Sequence, residues 1–145
     1  MRATRGRRSR GLRLQAGTVA LRTLTARPAR ILGLDPGSVI TGFGVVDVSA
    51  TGTAYVASGS IRAGRGALAE RLQIIFRHVG ELVQAYSPTE VAIERVFMHV
   101  NPDSALKLGQ ARGAALCAAT VGGAAVHEYT PREVKLALTG TGAAE

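Results

Sequence analysis

The chain has 145 residues, of which 46% are hydrophobic and only 4% are aromatic, and its single cysteine is Cys117. This length predicts one domain with an aliphatic core, and one cysteine excludes an internal disulfide. No apolar run approaches the ~20 residues of a membrane helix, so a membrane protein is excluded, and the cysteine usage favours a reducing, cytoplasmic location.

The net charge of +8 is unevenly distributed. Nine arginines precede the first acid, so residues 1–30 carry a charge of +9, and the other nine basic residues face all ten acids in residues 31–145. We therefore predict a basic, disordered leader over 1–30 and a folded domain over 31–145. The leader could be a nucleic-acid-binding arm, a transit peptide or a translated stretch upstream of the true start.

The predicted elements begin with three strands joined by short turns, which indicates an antiparallel meander. These strands cover 31–35, 42–48 and 54–61. Apolar residues then recur at helical spacing from Leu68 to Val83, and Ser87-Pro88 is predicted to stop this helix.

A fourth strand is predicted over Val91–Glu94. Asn101 is the predicted N-cap and Pro102 the first position of a helix that runs to about Val121. Gly109 and Gly113, four residues apart on this helix, are predicted to permit close packing.

A fifth strand is predicted over 124–129, and Thr130 to Glu133 form a capping box that opens a last helix through Leu138. The order is three strands, helix, strand, helix, strand, helix. It predicts an α/β fold with a mixed five-stranded sheet flanked by helices.

Two acids stand where predicted strands end: Asp35 after the first and Glu94 after the fourth. Open α/β sheets build their sites at the carboxyl ends of strands, and carboxylates gathered there need a compensating charge. A divalent cation would supply that charge, and oxygen ligands favour Mg²⁺ or Mn²⁺ over Zn²⁺. His78, His99 and His127 have no ligand spacing to one another.

Structural alternatives remain open for both acids. Asp-Pro-Gly is a common turn sequence, and Glu94 could form an ion pair with Arg95 or Arg112. The acids after Glu94 offer no obvious third ligand, because Asp103 and Glu133 lie at helix starts and Glu128 lies within a strand.

Several motifs in a matching order resemble the RuvC family of Holliday-junction resolvases, over residues 31–145 and none of the leader. They are Leu32-Gly33-Leu34-Asp35-Pro36-Gly37-Ser38, Thr41-Gly42-Phe43-Gly44-Val45, Ala92-Ile93-Glu94-Arg95-Val96-Phe97-Met98, Asn101-Pro102-Asp103-Ser104-Ala105-Leu106-Lys107-Leu108-Gly109-Gln110-Ala111-Arg112-Gly113, Glu128-Tyr129-Thr130-Pro131-Arg132-Glu133-Val134-Lys135 and Thr139-Gly140-Thr141-Gly142-Ala143.

This resemblance implies an RNase H-like fold, a homodimer, and hydrolysis of phosphodiesters at four-way DNA junctions during recombination and repair. The implied cofactor is Mg²⁺, which Mn²⁺ could replace, and the implied partners include the branch-migration proteins RuvA and RuvB. Asp35 and Glu94 match the family's first two metal-binding catalytic acids.

Four further residues are candidates for DNA contacts. Phe97 matches an aromatic residue near the active site that could wedge against bases, although an apolar Phe is as often part of a core. Lys135 matches a basic residue near the scissile phosphate. Lys107 and Arg112 could contact phosphates, but ion pairing on a helix is the simpler explanation.

The sequence departs from the family at its C-terminal end. The family carries two more catalytic aspartates, three residues apart, on a later helix, so we expect that helix to be missing and the chain's activity to be impaired. One face of the sheet is then also expected to lose cover. Two alternative functions are a junction-binding module that does not cut, and an actin- or sugar-kinase-like nucleotide-binding domain, although no second Asp-Gly-rich phosphate loop follows.

Overall fold

The computed structural model describes residues 27–95 and 101–139. Five strands and three helices lie within these ranges, in the order that the sequence predicts. They are β1 Ala29–Asp35, β2 Ile40–Ser49, β3 Gly52–Arg62, α1 Leu68–Tyr86, β4 Glu90–Glu94, α2 Pro102–Thr120, β5 Ala125–Tyr129 and α3 Pro131–Thr139.

The five strands form one mixed sheet in the spatial order β3-β2-β1-β4-β5. Strands β1, β2 and β3 form the predicted antiparallel meander, while β4 pairs parallel to β1 and β5 pairs parallel to β4. The predicted mixed five-stranded sheet is therefore confirmed. The first strand of the chain lies in the centre of the sheet, where β2 and β4 flank it on either side.

The hydrophobic core lies between this sheet and helices α1 and α2. Alternate residues of β1 and β4 are almost completely buried, as expected for strands that direct every second side chain to one face. The core side chains of the sheet meet Ile75 and Val79 of α1, which are also fully buried. The sheet residues that do so include Leu32, Leu34, Val45, Val91 and Ile93.

Helix α2 packs against the core through alanines, which corrects one prediction. Its buried residues are Ala111, Ala115, Ala118 and Ala119. Gly109 and Gly113 do not make the close approach that their spacing predicted, because a Cβ added to either one would have no neighbour within 4 Å. Alanine suits these positions because its small methyl group lets α2 lie close to α1 while still filling the contact.

The helix ends follow the predicted capping chemistry. The Asn101 side chain accepts hydrogen bonds from the backbone N–H groups of Asp103 and Ser104, which are unpaired at a helix start. At the end of α1, Ser87 adopts a left-handed conformation with φ of 47°, and its N–H donates to the carbonyl oxygen of Val83. Helix α1 thus runs through Tyr86, three residues beyond Val83, the last apolar residue of the predicted helix.

The folded domain begins two residues before the predicted boundary, because Ala29 and Arg30 already belong to β1. Arg30 forms a two-point ion pair with Asp47 on β2, with N–O distances of 2.8 and 2.9 Å, and also donates to the carbonyl oxygen of Tyr86. This arginine is therefore part of the sheet and not of the leader.

No helix among residues 27–95 and 101–139 is both long and apolar enough to span a bilayer.

Candidate metal centre

Asp35 and Glu94 lie side by side at the carboxyl ends of β1 and β4, which are adjacent inner strands of the sheet. Strands β1 and β4 are parallel neighbours whose pairing ends with Leu34 opposite Ile93. The next residue of each strand is the acid, so the register brings the two carboxylates to the same level of adjacent strands. Both side chains point away from helices α1 and α2, because Leu34 and Ile93 point into the core and successive side chains alternate.

The proximity of the two acids changes the protonation of Glu94. The pKa of its carboxyl is raised, first because the group is partly buried, and then because of the negative charge of Asp35 and a hydrogen bond with it. All three effects disfavour a negative charge on Glu94 beside Asp35. A cation bound between the two groups would offset this repulsion, so the donor set fits a hard divalent ion.

A cleft of about 420 Å³ opens beside these carboxylates. Its lining is unusually poor in side chains, since four of its residues are glycines. The residues that line it are Gly33, Leu34, Asp35, Gly42, Phe43, Gly44, Gly59, Ala92, Ile93, Glu94, Tyr129 and Val134. The glycines near the two acids leave room for a bulky substrate to approach the carboxylates closely.

The turn after Asp35 is fixed by contacts that the sequence did not reveal. The buried Thr41 hydroxyl donates to the carbonyl oxygen of Gly37 at 3.0 Å and accepts from the Gly37 N–H at 3.3 Å. From helix α1, Arg71 donates to the carbonyl oxygen of Ser38 at 3.1 Å. These contacts hold the chain that leaves Asp35, and the only signal for them in the sequence is a polar Thr41 beside an apolar strand.

The predicted alternative of an ion pair for Glu94 is wrong, because both candidate arginines bind Glu128 instead. Arg112 Nη2 lies 2.8 Å from Glu128 Oε2, and Arg95 Nε lies 3.6 Å from the same oxygen. Arg112 does contact Glu94, but at the backbone, where Nε donates to the carbonyl oxygen at 3.0 Å.

The other downstream acids also have partners, as their positions predicted. Asp103 forms an ion pair with Lys107 one turn later on α2. Glu133 accepts hydrogen bonds from the N–H and hydroxyl of Thr130, which completes the predicted capping box. Across residues 27–95 and 101–139, no third His, Cys, Asp or Glu joins Asp35 and Glu94 in a metal-binding group.

The remaining predicted site residues occupy different places. Phe97 lies outside the described residues. Lys107 is engaged with Asp103, as the ion-pair alternative expected. Arg112 is held by Glu94 and Glu128. Lys135 lies on α3 next to Val134, which lines the cleft, so its predicted contact with a phosphate stays a prediction.

The two histidines among the described residues pair with glutamates outside the cleft lining. His78 on α1 lies 3.2 Å from Glu81, and His127 on β5 lies 3.3 Å from Glu90. Both are surface pairs, whereas His99 lies outside the described residues.

The sequence of this chain also matches a known protein family. The family model described as "Crossover junction endodeoxyribonuclease RuvC" matches residues 31–145, which is most of the chain. The chain belongs to the RuvC family. A RuvC relative from Pseudomonas fluorescens is 60% identical over 114 residues, a match that covers 79% of this chain and 66% of the relative. The chain thus spans just under two thirds of the length of the curated RuvC proteins that it matches.

Solved structures of RuvC proteins show the same fold. Thermus thermophilus RuvC in complex with a Holliday junction substrate has 34% sequence identity and a TM-score of 0.74, covering 81% of this chain and 72% of that one. The yeast mitochondrial Holliday junction resolvase Ydc2 has 9% identity and a TM-score of 0.61, covering 78% of this chain and 56% of that one, and supports the fold alone. The fold of this RuvC-family chain is RNase H-like, as expected.

Proposed function

We propose that this chain is the core of a structure-specific endonuclease that hydrolyses phosphodiesters in four-way DNA junctions. The observation that carries the proposal is the pair of carboxylates, Asp35 and Glu94, at the ends of adjacent parallel strands in a chain of the RuvC family. The name of the family and the junction bound to its Thermus thermophilus member support this reaction and this substrate.

Nucleases of this family depend on a metal ion, and we propose Mg²⁺, with Mn²⁺ as a substitute. Bound between the acids, the ion would activate water and neutralise charge on the phosphate. Asp35 and Glu94 would hold it, with Asp35 the more exposed of the two and Glu94 partly buried. The glycines of the cleft leave room for a DNA backbone, and Lys135 on α3 would balance its charge.

We also propose an oligomeric state, protein partners and a location for this chain. We propose a homodimer, because the outward side of α2 carries exposed, uncharged residues, with Leu106 at 68% and Val121 just beyond the helix at 79% exposure. RuvA and RuvB are proposed partners on the basis of family membership. A cytoplasmic location follows from a DNA substrate in bacteria such as those of the relatives.

The experiment that tests the proposed function removes one carboxylate. We expect Asp35→Asn to weaken Mn²⁺ binding by at least about tenfold, as loss of groups at a metal site commonly does, and to abolish junction cleavage. Mn²⁺ binding is measured by paramagnetic resonance titration and cleavage on a synthetic four-way junction. Binding is the primary measurement, because it reports directly on Asp35 and Glu94.

The matched control is Glu81→Gln, which removes a carboxylate of α1 that is paired with His78 and Arg77 far from the cleft. This variant should bind Mn²⁺ as the unsubstituted chain does. The proposal fails if Asp35→Asn binds Mn²⁺ with unchanged affinity, or if linear duplex DNA competes as well as a junction does. Tight junction binding that survives Asp35→Asn, with no cleavage by either protein, would instead support the junction-binding alternative.

A further inference from the structure

Arg112 is a partly buried charge beside the alanine face of α2. Its side chain is only 18% exposed, and it follows Ala111 on the side of the helix that packs against the core. A guanidinium in such a place is unfavourable unless its N–H groups find acceptors. Its Nε–H donates to the carbonyl oxygen of Glu94 at 3.0 Å, and its Nη2 lies 2.8 Å from the Glu128 carboxylate, an ion pair that lacks hydrogen-bond alignment.

The Glu94 backbone is the point where β4 loses its neighbour on one side. Pairing between β1 and β4 ends at Leu34 opposite Ile93, and the residue after Asp35 is Pro36, which has no N–H to donate. On the other side, β5 still pairs with Glu94 through Tyr129. The hydrogen bond from Arg112 therefore holds the end of β4 where β1 no longer does.

Glu128 keeps Arg112 in place from the neighbouring strand. It pairs in register with Ile93, whose side chain lies in the core, so Glu128 points to the helix side of the sheet. Glu94 pairs with Tyr129 and points to the cleft side. The two glutamates thus lie on opposite faces, which makes Glu128 an anchor for arginine and not a ligand of the cleft.

We propose that Arg112 is a positioning residue: held by Glu128, it fixes the backbone of Glu94 and thereby the distance between the Glu94 and Asp35 carboxylates. This inference rests on the proposed metal site and extends it to two residues on the opposite face of the sheet. Its consequence is that metal affinity depends on a contact that touches neither metal nor DNA. Groups that orient metal ligands commonly contribute about 10- to 100-fold to affinity.

The test replaces the arginine without removing its bulk. Arg112→Met should raise the dissociation constant for Mn²⁺ by about tenfold or more, as loss of an orienting partner does. Arg112→Lys should give a smaller loss, because its ammonium keeps the positive charge beside Glu128 although it cannot reproduce the directed Nε–H bond to the Glu94 carbonyl. The matched control is Arg77→Met, an exposed arginine of α1 paired with Glu81, which should leave the dissociation constant unchanged.

A double variant separates positioning from charge balance. Arg112→Met alone deprives Glu128 of one of its two arginines and should lower the thermal midpoint. Adding Glu128→Gln removes that carboxylate, so the thermal midpoint should recover while Mn²⁺ binding stays weak. The backbone N–H of Arg95, which donates to the carbonyl oxygen of Tyr129, should also exchange faster with solvent. Recovery of Mn²⁺ affinity together with the midpoint would overturn the proposal. Because the double variant restores charge balance, it also serves if Arg112→Met alone does not fold.

Failure of this inference differs from failure of the proposed function. If Asp35→Asn binds Mn²⁺ as tightly as the unsubstituted chain, there is no metal site between the acids, and both proposals fall. If Asp35→Asn loses Mn²⁺ but Arg112→Met/Glu128→Gln binds it with unchanged affinity, the metal site stands and the role of Arg112 is overturned.

Discussion

Asp35 and Glu94 place like charges next to each other, an arrangement that works against folding when no cation is present. The raised pKa of Glu94 expresses this conflict, since burial and the Asp35 charge both favour its protonated form. A residue selected for stability alone would not combine partial burial with a neighbouring carboxylate. Such a local loss of stability is typical of a binding site.

The raised pKa predicts a specific pH dependence for the metal-free protein. Because the folded-state pKa of Glu94 lies above the unfolded one, its contribution to stability is fully present below the unfolded pKa and is lost as the pH rises through the folded pKa. In a chelator, Glu94→Gln should therefore be more stable than the unsubstituted chain at neutral pH and equal to it in acid. Urea unfolding at the two pH values measures this difference.

Saturating Mn²⁺ should reverse the order at neutral pH, because binding stabilises only the protein that keeps both ligands. Glu81→Gln again serves as the control, with no pH-dependent gain. If Glu94→Gln is equally or less stable than the unsubstituted chain in chelator at neutral pH, the two carboxylates do not repel each other as their positions indicate.

The two acids could be found from the sequence, whereas of the residues that hold them only Arg112 was a candidate, and then as an ion-pair partner and not as a donor to the Glu94 backbone. Asp35 and Glu94 each end an apolar run, so local pattern and strand geometry suffice to bring them together. The contact from Arg112 to Glu94 spans 18 residues, and that from Arg71 to Ser38 spans 33. Such contacts depend on how the helices lie across the sheet. The neighbouring residues in the sequence do not distinguish Arg71 and Arg112 from exposed arginines.

Helices α1 and α2 each carry glycines that packing does not require. A Cβ added at Gly80 or at Gly109 would meet nothing within 4 Å. Alanine at each position should raise the free energy of unfolding by about 0.5–1 kcal/mol, because glycine loses more backbone entropy in a helix. Chemical denaturation of the single variants measures the gain.

Gly37→Ala should lower the free energy of unfolding, which the same chemical denaturation measures. Its added Cβ would lie 2.1 Å from the carbonyl oxygen of Ile40, closer than atoms can approach. This variant should be clearly destabilised, by about 1–3 kcal/mol as for other overpacked sites. A loss of stability at Gly80 or Gly109, or tolerance at Gly37, would contradict the packing described above.

Element order and type were predictable, whereas the packing face of α2 was not. Alternation in the strands and helical spacing in α1 each indicate one buried side. In α2 the apolar residues surround the helix, with Leu106 exposed and Ala115 buried, so spacing could not identify which side faces the sheet. The spacing of Gly109 and Gly113 predicted close packing on a side of α2 that has no close neighbour among the described residues.

The proposed homodimer makes the whole molecule's assembly testable. Leu106 on α2 is exposed, and the charge introduced by Leu106→Glu would be unfavourable in an apolar interface. We expect the unsubstituted chain to sediment as a dimer and Leu106→Glu as a monomer. The control is Leu136→Glu, which alters an exposed leucine of α3 and should leave the dimer intact. A monomeric unsubstituted chain, or a dimeric Leu106→Glu, would argue against this surface.

The central position of β1 has a consequence for the order in which the molecule is assembled. Its antiparallel partner β2 follows after a short turn, but its parallel partner β4 follows only after β3 and the whole of α1. Contacts between residues close in sequence form faster, so the meander that contains Asp35 can form while β4 is still unpaired. We expect Glu94 to join it in a slower, long-range step. The carboxylate pair would then form late in folding, and a chain that stalls after the meander would have native-like strands but no site.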